Sequence, residues 1–149
     1  MISKKTCEEF KVLVGTCSEE SLLQEFLQKH PEIIIHAFEA GAHLSTVFPK
    51  FRLADDFIPD FVMIGHRSSW SWDVDLIEIE PAILNGPLFN KSNQSTGRLR
   101  VAESQITKWQ VWMKAKEDFF VQRALDKLKE VGAWDKIPKF YYLSNGNRI

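Results

Sequence analysis

Three acidic side chains stand beside two apolar runs and are the residues best suited to chemistry in this sequence. Asp60 lies near the start of the run 59–64, and Glu78 and Glu80 lie at the end of the run 75–80. Apolar runs of this length, bounded by Pro, Gly, Ser and Asp, predict buried strands. A carboxylate there is costly unless it is exposed, paired or bound to a cation. We therefore expect a functional site at these positions first.

The two runs predict an antiparallel hairpin, because 57–65 and 72–80 flank a short polar turn. Side chains alternate along a strand, so Glu78 and Glu80 are expected on one face, with Asp60 on the neighbouring strand. Converging carboxylates raise one another's pKa, and a divalent cation relieves their repulsion. Their oxygens suit Mg²⁺ or Mn²⁺ better than zinc. The same alternation also fits a solvated sheet face.

The elements around this hairpin predict an α/β fold, with a small mixed β-sheet flanked by helices. A helix is expected from Ser18, whose hydroxyl can cap its first turn. Residues 32–40 fit either a helix or a strand. The further expected elements are a strand at 43–48, a loop at 85–97, a long helix at 99–116 that continues after a break into 119–130, a helix stop at Gly132 and a strand at 140–143.

Length and composition predict a single domain over residues 1–149, with its core at about 18–144. The net charge of -1 excludes a global basic field, so any nucleic-acid affinity must come from a local patch or a metal. The chain has two cysteines, Cys7 and Cys17, and no CxxC motif, which favours a reduced cytoplasmic compartment. No apolar run reaches the ~18 residues of a membrane-spanning helix, so no membrane partner is expected.

The long helix carries an apolar face that contains one polar residue, Gln105. The face is formed by Ala102, Gln105, Ile106, Trp109 and Trp112-Met113. A buried amide needs a partner, which a carboxylate, a metal-bound water or a phosphate can supply, as can the backbone at the edge of the stripe.

Basic residues cluster before and along this helix, at Lys91, Arg98, Arg100 and Lys108. Such residues beside a carboxylate–metal site suit a phosphodiester backbone. Solvated loop charges produce the same pattern.

Six short motifs occur in a fixed order between about residues 18 and 115. They are Glu20-x-x-x-Gln24-x-Phe26-Leu27-x-x-His30-Pro31, Arg52-Leu53, Pro59-Asp60-Phe61-Val62, Ile77-Glu78-Ile79-Glu80-Pro81, Pro87-Leu88-Phe89 and Ala102-x-x-Gln105-Ile106-x-x-Trp109. The ordered set resembles the nuclease domain of the Shedu anti-phage defence proteins, a branch of the PD-(D/E)XK phosphodiesterase superfamily. No single motif is specific, and the order of all six carries the resemblance.

The resemblance implies a restriction-endonuclease-like core and a nuclease that cleaves DNA with Mg²⁺ or Mn²⁺, with RNA as the other candidate substrate. By position, Asp60 and Glu78 match the metal-binding carboxylates. Gln105 matches the glutamine of the family's helix motif, and Glu20 matches a helix glutamate that contacts the metal or its water. The resemblance also implies a homo-oligomer or a separate regulatory protein as partner.

The chain departs from the superfamily at Glu80, which stands where the E-x-K motif has lysine. A glutamate there can bind a second metal or accept a proton from the attacking water. It cannot supply positive charge to the phosphate, so a metal or another lysine or arginine must do so. The alternative is a catalytically degenerate module that binds nucleic acid or a partner protein in a regulatory role.

Overall fold

The computed structural model describes residues 2–38, 45–54, 57–68, 71–81, 89–92, 94–133, 143–144 and 147–148, except the side chains of 66–68, 71–72, 98, 143–144 and 147–148. These residues form five helices and two small sheets. In chain order the elements are α1 (Lys4–Thr16), α2 (Glu20–Lys29), α3 (Pro31–Phe38), β1 (Ser45–Pro49), β2 (Phe61–Ser68), β3 (Ser71–Ile77), α4 (Gly97–Ala115), α5 (Glu117–Glu130), β4 (Leu143–Ser144) and β5 (Asn147–Arg148). The α/β class is therefore confirmed.

The central sheet has the strand order β1-β2-β3, with both neighbouring pairs antiparallel. Its register pairs Pro49 with Phe61 and Phe61 with Ile77. The predicted hairpin is thus confirmed, and β1 confirms the strand expected before it. The separate pair β4–β5 is also antiparallel. A mixed sheet would need a parallel strand pair, and the described residues contain none.

Two strand boundaries differ from the sequence prediction, and both differences concern the acidic residues. Strand β2 begins at Phe61 rather than at 57, and β3 ends at Ile77. Glu78 and Glu80 therefore follow the strand instead of lying on it, and that expectation was wrong. The backbone N–H of Ile79 donates to Asp60 Oδ2 at 2.8 Å. The Asp60 side chain thus accepts the hydrogen bond that a backbone carbonyl would accept in a continued sheet. The regular pairing of β2 with β3 therefore ends here.

The central strand β2 is buried on both faces of the sheet. Phe61 and Met63 belong to one apolar cluster, which contains residues of α2 and α3. Val62 and Ile64 belong to a second cluster, which contains residues of α4 and α5. The alternation of side chains along β2 produces this division. The sheet is thus the middle layer between two groups of helices.

The N-terminal helices differ most from expectation. Helix α1 was not predicted; it begins after Ser3, whose hydroxyl accepts a hydrogen bond from the Thr6 N–H at 3.0 Å. The predicted cap at Ser18 was wrong, because α2 begins at Glu20 and has no side-chain cap. The segment between the two helices instead folds around Cys17, whose thiol donates to the Glu19 carbonyl at 3.0 Å.

The uncertain segment 32–40 is helical over α3, with residues 39 and 40 outside the described residues. Pro31 occupies the first helical position, where its missing N–H and fixed φ are tolerated. Ile33 and Ile34 are buried against the cluster that contains Phe61. The β-branched residues thus contribute packing rather than strand pairing.

The C-terminal helix pair follows the sequence prediction closely. Helix α4 is followed after Lys116 by α5, and the break has φ -131° and ψ 35° at that residue. Gly132 has φ +65°, a left-handed conformation typical of glycine after a helix. Of the expected strand 140–143, only Leu143 is described, and it lies in β4. Among the helices described, none is long and apolar enough to cross a membrane.

Candidate active site

Asp60 forms the centre of the candidate site, immediately before β2, and is 2% exposed. Its carboxylate accepts hydrogen bonds from the Ile79 N–H at 2.8 Å and from the ammonium group of Lys50. Its backbone carbonyl accepts from the Lys50 N–H at 2.8 Å and from Gln24 Nε2 at 3.1 Å. Contacts from α2, the end of β1 and the segment after β3 therefore hold this buried acid in place.

Lys50 is the functional candidate that sequence reasoning missed. It directly follows β1 and has φ +45°, a left-handed conformation that costs a non-glycine residue roughly 1–3 kcal/mol. In this conformation both its N–H and its ammonium bind Asp60. The available signal was a lysine two residues after the strand expected at 43–48, just before the predicted hairpin. The site thus contains a cation that does not come from the E-x-K position.

Glu78 is half-buried, and its pKa is raised from 4.5 to about 7. Burial of the carboxyl is the largest cause, followed by the negative charges of Asp60 and Glu20. Lys50 and a backbone hydrogen bond from Asp60 act in the opposite direction. Its Oε2 is buried and has no hydrogen-bond partner among the described residues. An acceptor in this position is costly unless a proton or a cation satisfies it.

Glu20 lies in the first turn of α2, one turn before Gln24. Its pKa is raised, first by burial and then by the charge of Asp60, with a smaller contribution from Glu80. Lys50 lowers it. Electrostatic coupling of this kind requires proximity, so the structure brings four predicted site residues to one end of the sheet around Lys50. They are Glu20, Asp60, Glu78 and Glu80.

The other predicted residues whose side chains the structure describes, Gln105, Lys91, Arg100 and Lys108, have no recorded contact with this cluster. Gln105 is half-buried on α4, and within the described part of the chain it makes no hydrogen bond to Asp60 or Glu78. The glutamine at the site is Gln24, which is buried and whose Oε1 is unpartnered among those residues. Lys91, Arg100 and Lys108 are exposed, and the side chain of Arg98 lies outside the described set.

The oxygen donors of this site decide whether it fits a divalent cation. No group of three or more His, Cys, Asp and Glu side chains among the described residues is arranged to hold a metal ion. The donor chemistry nevertheless suits one, because Asp60 and Glu78 offer hard oxygens and Glu78 Oε2 lacks a partner within the same residues. The ammonium of Lys50 pairs with Asp60 Oδ1. Metal binding would therefore require that ammonium to move.

The fold and this cluster define an α/β protein with a buried aspartate, a half-buried glutamate and a lysine at one end of its central sheet. The sequence profile of the family described as Shedu protein SduA, C-terminal, matches residues 17–141. The chain belongs to this family, and the expected relationship to Shedu proteins is confirmed. Membership associates the chain with anti-phage defence. Searches of the curated proteins and of the solved structures gave no significant match.

The raised pKa of Glu78 predicts a stability change between pH 4.5 and 7. The folded state binds this proton more tightly than the unfolded chain, so the free energy of unfolding should fall as the pH rises through this window. A shift of this size sets an upper bound of roughly 3 kcal/mol, and solvent screening of the half-buried carboxyl reduces it. Urea unfolding of the wild type at several pH values across this window measures the slope.

The matched variant is Glu78→Gln, which resembles the protonated side chain at every pH. Its stability should lack the part of the slope that Glu78 contributes. Glu117→Gln removes an exposed carboxylate from the first turn of α5 and should keep the wild-type slope. A wild-type slope in Glu78→Gln would show that Glu78 does not titrate in this range.

Proposed function

We propose that the chain is a metal-dependent endonuclease domain that cleaves DNA phosphodiester bonds in anti-phage defence. The observation that carries the proposal is the buried Glu78 Oε2, which has no partner among the described residues, within the cluster of Asp60, Glu20 and Lys50. Asp60 is buried and Glu78 half-buried, and the negative charges of this cluster raise the pKa of Glu78 and Glu20, so the cluster is costly to keep without a ligand. Family membership supports the defence context. The three-layer arrangement is compatible with a restriction-endonuclease-like core, which we include in the proposal.

Asp60 and Glu78 would hold Mg²⁺ or Mn²⁺, and Glu20 would contact the ion or its water. When bound, such an ion supplies Lewis-acid stabilisation of a phosphoryl oxygen and lowers the pKa of a bound water. Gln24 and the Ile79 N–H keep Asp60 oriented through the contacts described above. These contacts fix the first carboxylate before any ligand arrives, which reduces the reorganisation that catalysis would require.

The two glutamates after β3, Glu78 and Glu80, have different roles in this proposal. A group with a pKa of about 7 can lose or accept a proton at neutral pH, and Glu78 has this value in the absence of a ligand. Glu80 is half-buried and couples to Glu20. We assign to Glu80 the acceptance of a proton from the attacking water.

Lys50 would supply the positive charge that Glu80 cannot. Its side chain is 48% exposed while the Asp60 carboxylate is 3% exposed, so the ammonium lies at the border between the cluster and solvent. From there it can contact a phosphate without crossing the core. Its strained backbone is the kind of local cost that is frequent at functional sites. Gln105, Arg98, Arg100, Lys91 and Lys108 are assigned to more distant contacts with the nucleic acid.

Removing the charge of Lys50 is expected to change both rate and pH dependence. Lys50→Met should slow metal-dependent cleavage roughly 100- to 1000-fold, the range for one lost preorganised donor at a developing negative charge. It should also raise the pH at which activity appears, because Lys50 lowers the pKa of Glu78 and Glu20. Cleavage rates measured from mildly acidic to alkaline pH test both effects.

Lys50→Arg keeps the charge and should retain most of the activity and the pH midpoint. Lys29→Met removes a charge from the last turn of α2, at the opposite end from Glu20, and should match the wild type. Equal rates and midpoints in Lys50→Met and wild type would remove Lys50 from the mechanism.

One observation favours a second candidate function. Lys50 already neutralises Asp60, and no group of three potential ligands is arranged around a metal in the described ranges. A domain stabilised in this way can bind nucleic acid or a regulatory protein without cleaving. This degenerate module predicts the same fold and the same pKa shifts, but no metal-dependent turnover.

The deciding experiment combines metal binding with strand cleavage. Calorimetric titration with Mg²⁺ and Mn²⁺ should give binding in the wild type and loss of binding in Glu78→Ala. Nicking of supercoiled plasmid should require metal and disappear with a chelator, and a labelled RNA in parallel tests the other substrate. Equal background nicking in wild type and Glu78→Ala would reject the enzyme and favour the binding module. Gel filtration with multi-angle scattering tests the expected homo-oligomer.

A further inference from the structure

A concave surface that is not lined by the acidic residues lies at the junction of α4 and α5. It is an open depression of about 470 Å³, within the range typical of ligand pockets. Its lining consists of Arg52, Leu53, Ala54, Trp112, Lys116, Phe119 and Arg123. These residues, hereafter the junction pocket, include three cationic side chains and two large aromatic rings. None of them is a carboxylate.

The spacing of the helical residues explains how they come together. Trp112 lies in the last turn of α4 and Lys116 is the residue at the break, while Phe119 and Arg123 are four residues apart on α5. Side chains at this spacing lie on the same side of a helix. Phe120, one residue from Phe119, instead belongs to the buried core. The junction pocket therefore borders the core, because Leu53 belongs to the core cluster and Trp112 packs against it, whereas Phe119 is exposed.

The aromatic rings of the junction pocket pack on neighbouring rings, and one of them remains exposed. Trp112 makes edge-to-face contacts with Phe57, at a centroid distance of 6.5 Å, and with Phe119, at 6.1 Å. Phe119 is still 53% exposed. A large exposed ring held by a second ring offers a flat surface on which a planar group can stack. Nucleic-acid bases stack on protein aromatics in this way without regard to sequence.

The charge of the junction pocket is not neutralised by the described neighbours of its helices. Lys116 and Arg123 form no ion pair within the described residues. Arg52 makes a further interaction of its own, so the charge argument rests on the other two. Cations beside a stacking surface match the alternating phosphate and base of a polynucleotide.

The junction pocket is also close in sequence to the acidic cluster. Arg52 lies two residues after Lys50, so their Cα atoms are at most about 7 Å apart. A strand that contacts Lys50 could therefore reach Arg52 within roughly two nucleotides, at the rise of about 3.4 Å per nucleotide. The depression is open, so it suits a nucleic-acid strand that passes through it better than it suits a small molecule that must be enclosed.

We propose that the junction pocket binds single-stranded nucleic acid, with a base stacked on Phe119 and the adjoining phosphates at Arg123 and Lys116. A free nucleoside phosphate has the same chemistry and is the other source of such a ligand. The proposal concerns binding alone and does not require that the acidic cluster cleaves. Its failure and that of the proposed nuclease function can therefore be observed separately.

The test is fluorescence anisotropy of a labelled oligothymidylate of roughly a dozen nucleotides, the length that one single-strand site can occupy. It is run at low salt and with a chelator, so that no metal-dependent cleavage occurs. The wild type should bind it. Phe119→Ala should weaken binding about 5- to 100-fold, which is the effect of one lost stacking contact. Arg123→Glu should weaken it at least ~10-fold and reduce the slope of log Kd against log salt concentration by about 1.

Two matched variants control for general effects. Lys114→Glu makes a matching charge reversal two residues from Trp112, outside the pocket lining, and Phe38→Ala removes an aromatic ring that is 43% exposed on α3. Both should bind within about twofold of the wild type. Circular dichroism verifies that all four variants fold.

Competition identifies the source of the ligand. AMP and inorganic phosphate should displace the oligonucleotide only at concentrations at least ~100-fold above its Kd, because each offers a single unit of a longer contact. Displacement by AMP at a concentration equal to that of the oligonucleotide would overturn the proposal of a single-strand site and assign the pocket to a free nucleotide. Absent wild-type binding, or equal weakening in Lys114→Glu and Arg123→Glu, would also overturn the proposal.

Discussion

Asp60→Asn is expected to reduce metal-dependent cleavage at least about 100-fold, because it removes the charged oxygen at the centre of the cluster. Metal coordination contributes several kcal/mol to a phosphoryl-transfer transition state, and each ~1.4 kcal/mol corresponds to a factor of about ten in rate. The wild type and Asp60→Asn are compared in single-turnover nicking of supercoiled plasmid, at saturating Mg²⁺ and over a range of Mn²⁺ concentrations.

Asparagine is chosen because it preserves the shape of the side chain. Its carbonyl oxygen can still accept a hydrogen bond from the Ile79 N–H, which Asp60 Oδ2 accepts at 2.8 Å in the wild type. The backbone contacts from Lys50 and Gln24 do not involve the carboxylate and should persist. The variant therefore tests charge and metal affinity without removing the scaffold.

The same variant has a second, independent readout. The charge of Asp60 raises the pKa of both Glu78 and Glu20, so its removal should lower both values toward the ordinary range. Titration of the glutamate carboxyl signals by NMR measures this shift. Asp118→Asn, in the first turn of α5, is the matched control and should change neither rate nor titration. Full activity in Asp60→Asn, with the Glu78 pKa lowered, would show that the charge of Asp60 is not required for cleavage.

Phe61→Ala is expected to lower the free energy of unfolding by about 3–5 kcal/mol, the range for truncating a buried phenylalanine. Phe61 is 0% exposed and packs with Leu27, Ile33, Ile34 and Met63. It is also paired with both neighbouring strands, opposite Pro49 and Ile77. The loss is large compared with the roughly 5–15 kcal/mol that stabilises a typical domain.

Urea unfolding at constant pH measures the effect as a lower midpoint. Phe38→Ala, at a ring 43% exposed, should cost less than about 1 kcal/mol and gives the contribution of an exposed phenylalanine. A loss under about 1.5 kcal/mol in Phe61→Ala, with an unchanged slope against urea, would contradict the observed packing between the sheet and α3.

The position of Phe61 next to Asp60 connects this stability to the site. A cavity at 61 leaves the start of β2 less firmly held, and Asp60 is the residue immediately before it. We expect the variant to retain its charges but to bind metal more weakly than the wild type, in proportion to the local loosening. The acidic cluster thus depends on the same buried residue that joins the sheet to the N-terminal helices.

Apolar patterns in the sequence were sufficient to predict the main elements of the fold. The short apolar runs at 59–64 and 75–80, separated by a polar turn, identify the hairpin, because runs of this length bounded by turn residues are typical of buried strands. The 3.6-residue stripe through Ala102 and Trp109 identifies α4. Helix α1 was missed, and its buried residue is the polar Thr6. The single-domain organisation stays a prediction.

The acids themselves could also be selected from the sequence, whereas their roles could not. Carboxylates beside apolar runs are costly wherever the chain folds, so residue types and spacing suffice to single out Asp60 and Glu78. The choice of Asp60 and Glu78 as site residues stays a prediction. The assignments of Glu80 and Gln105 stay predictions, as do those of Lys91, Arg98, Arg100 and Lys108.

Only the tertiary structure decided which groups surround Asp60. Lys50 is 10 residues away and Gln24 is 36 residues away, and each reaches Asp60 through contacts that no local pattern encodes. The raised pKa of Glu78 likewise depends on burial and on charges from three parts of the chain. Sequence periodicity determines which residues face a core, because it reflects local geometry. The identity of a cation beside a buried acid is determined by long-range packing, and here the fold supplies it from Lys50.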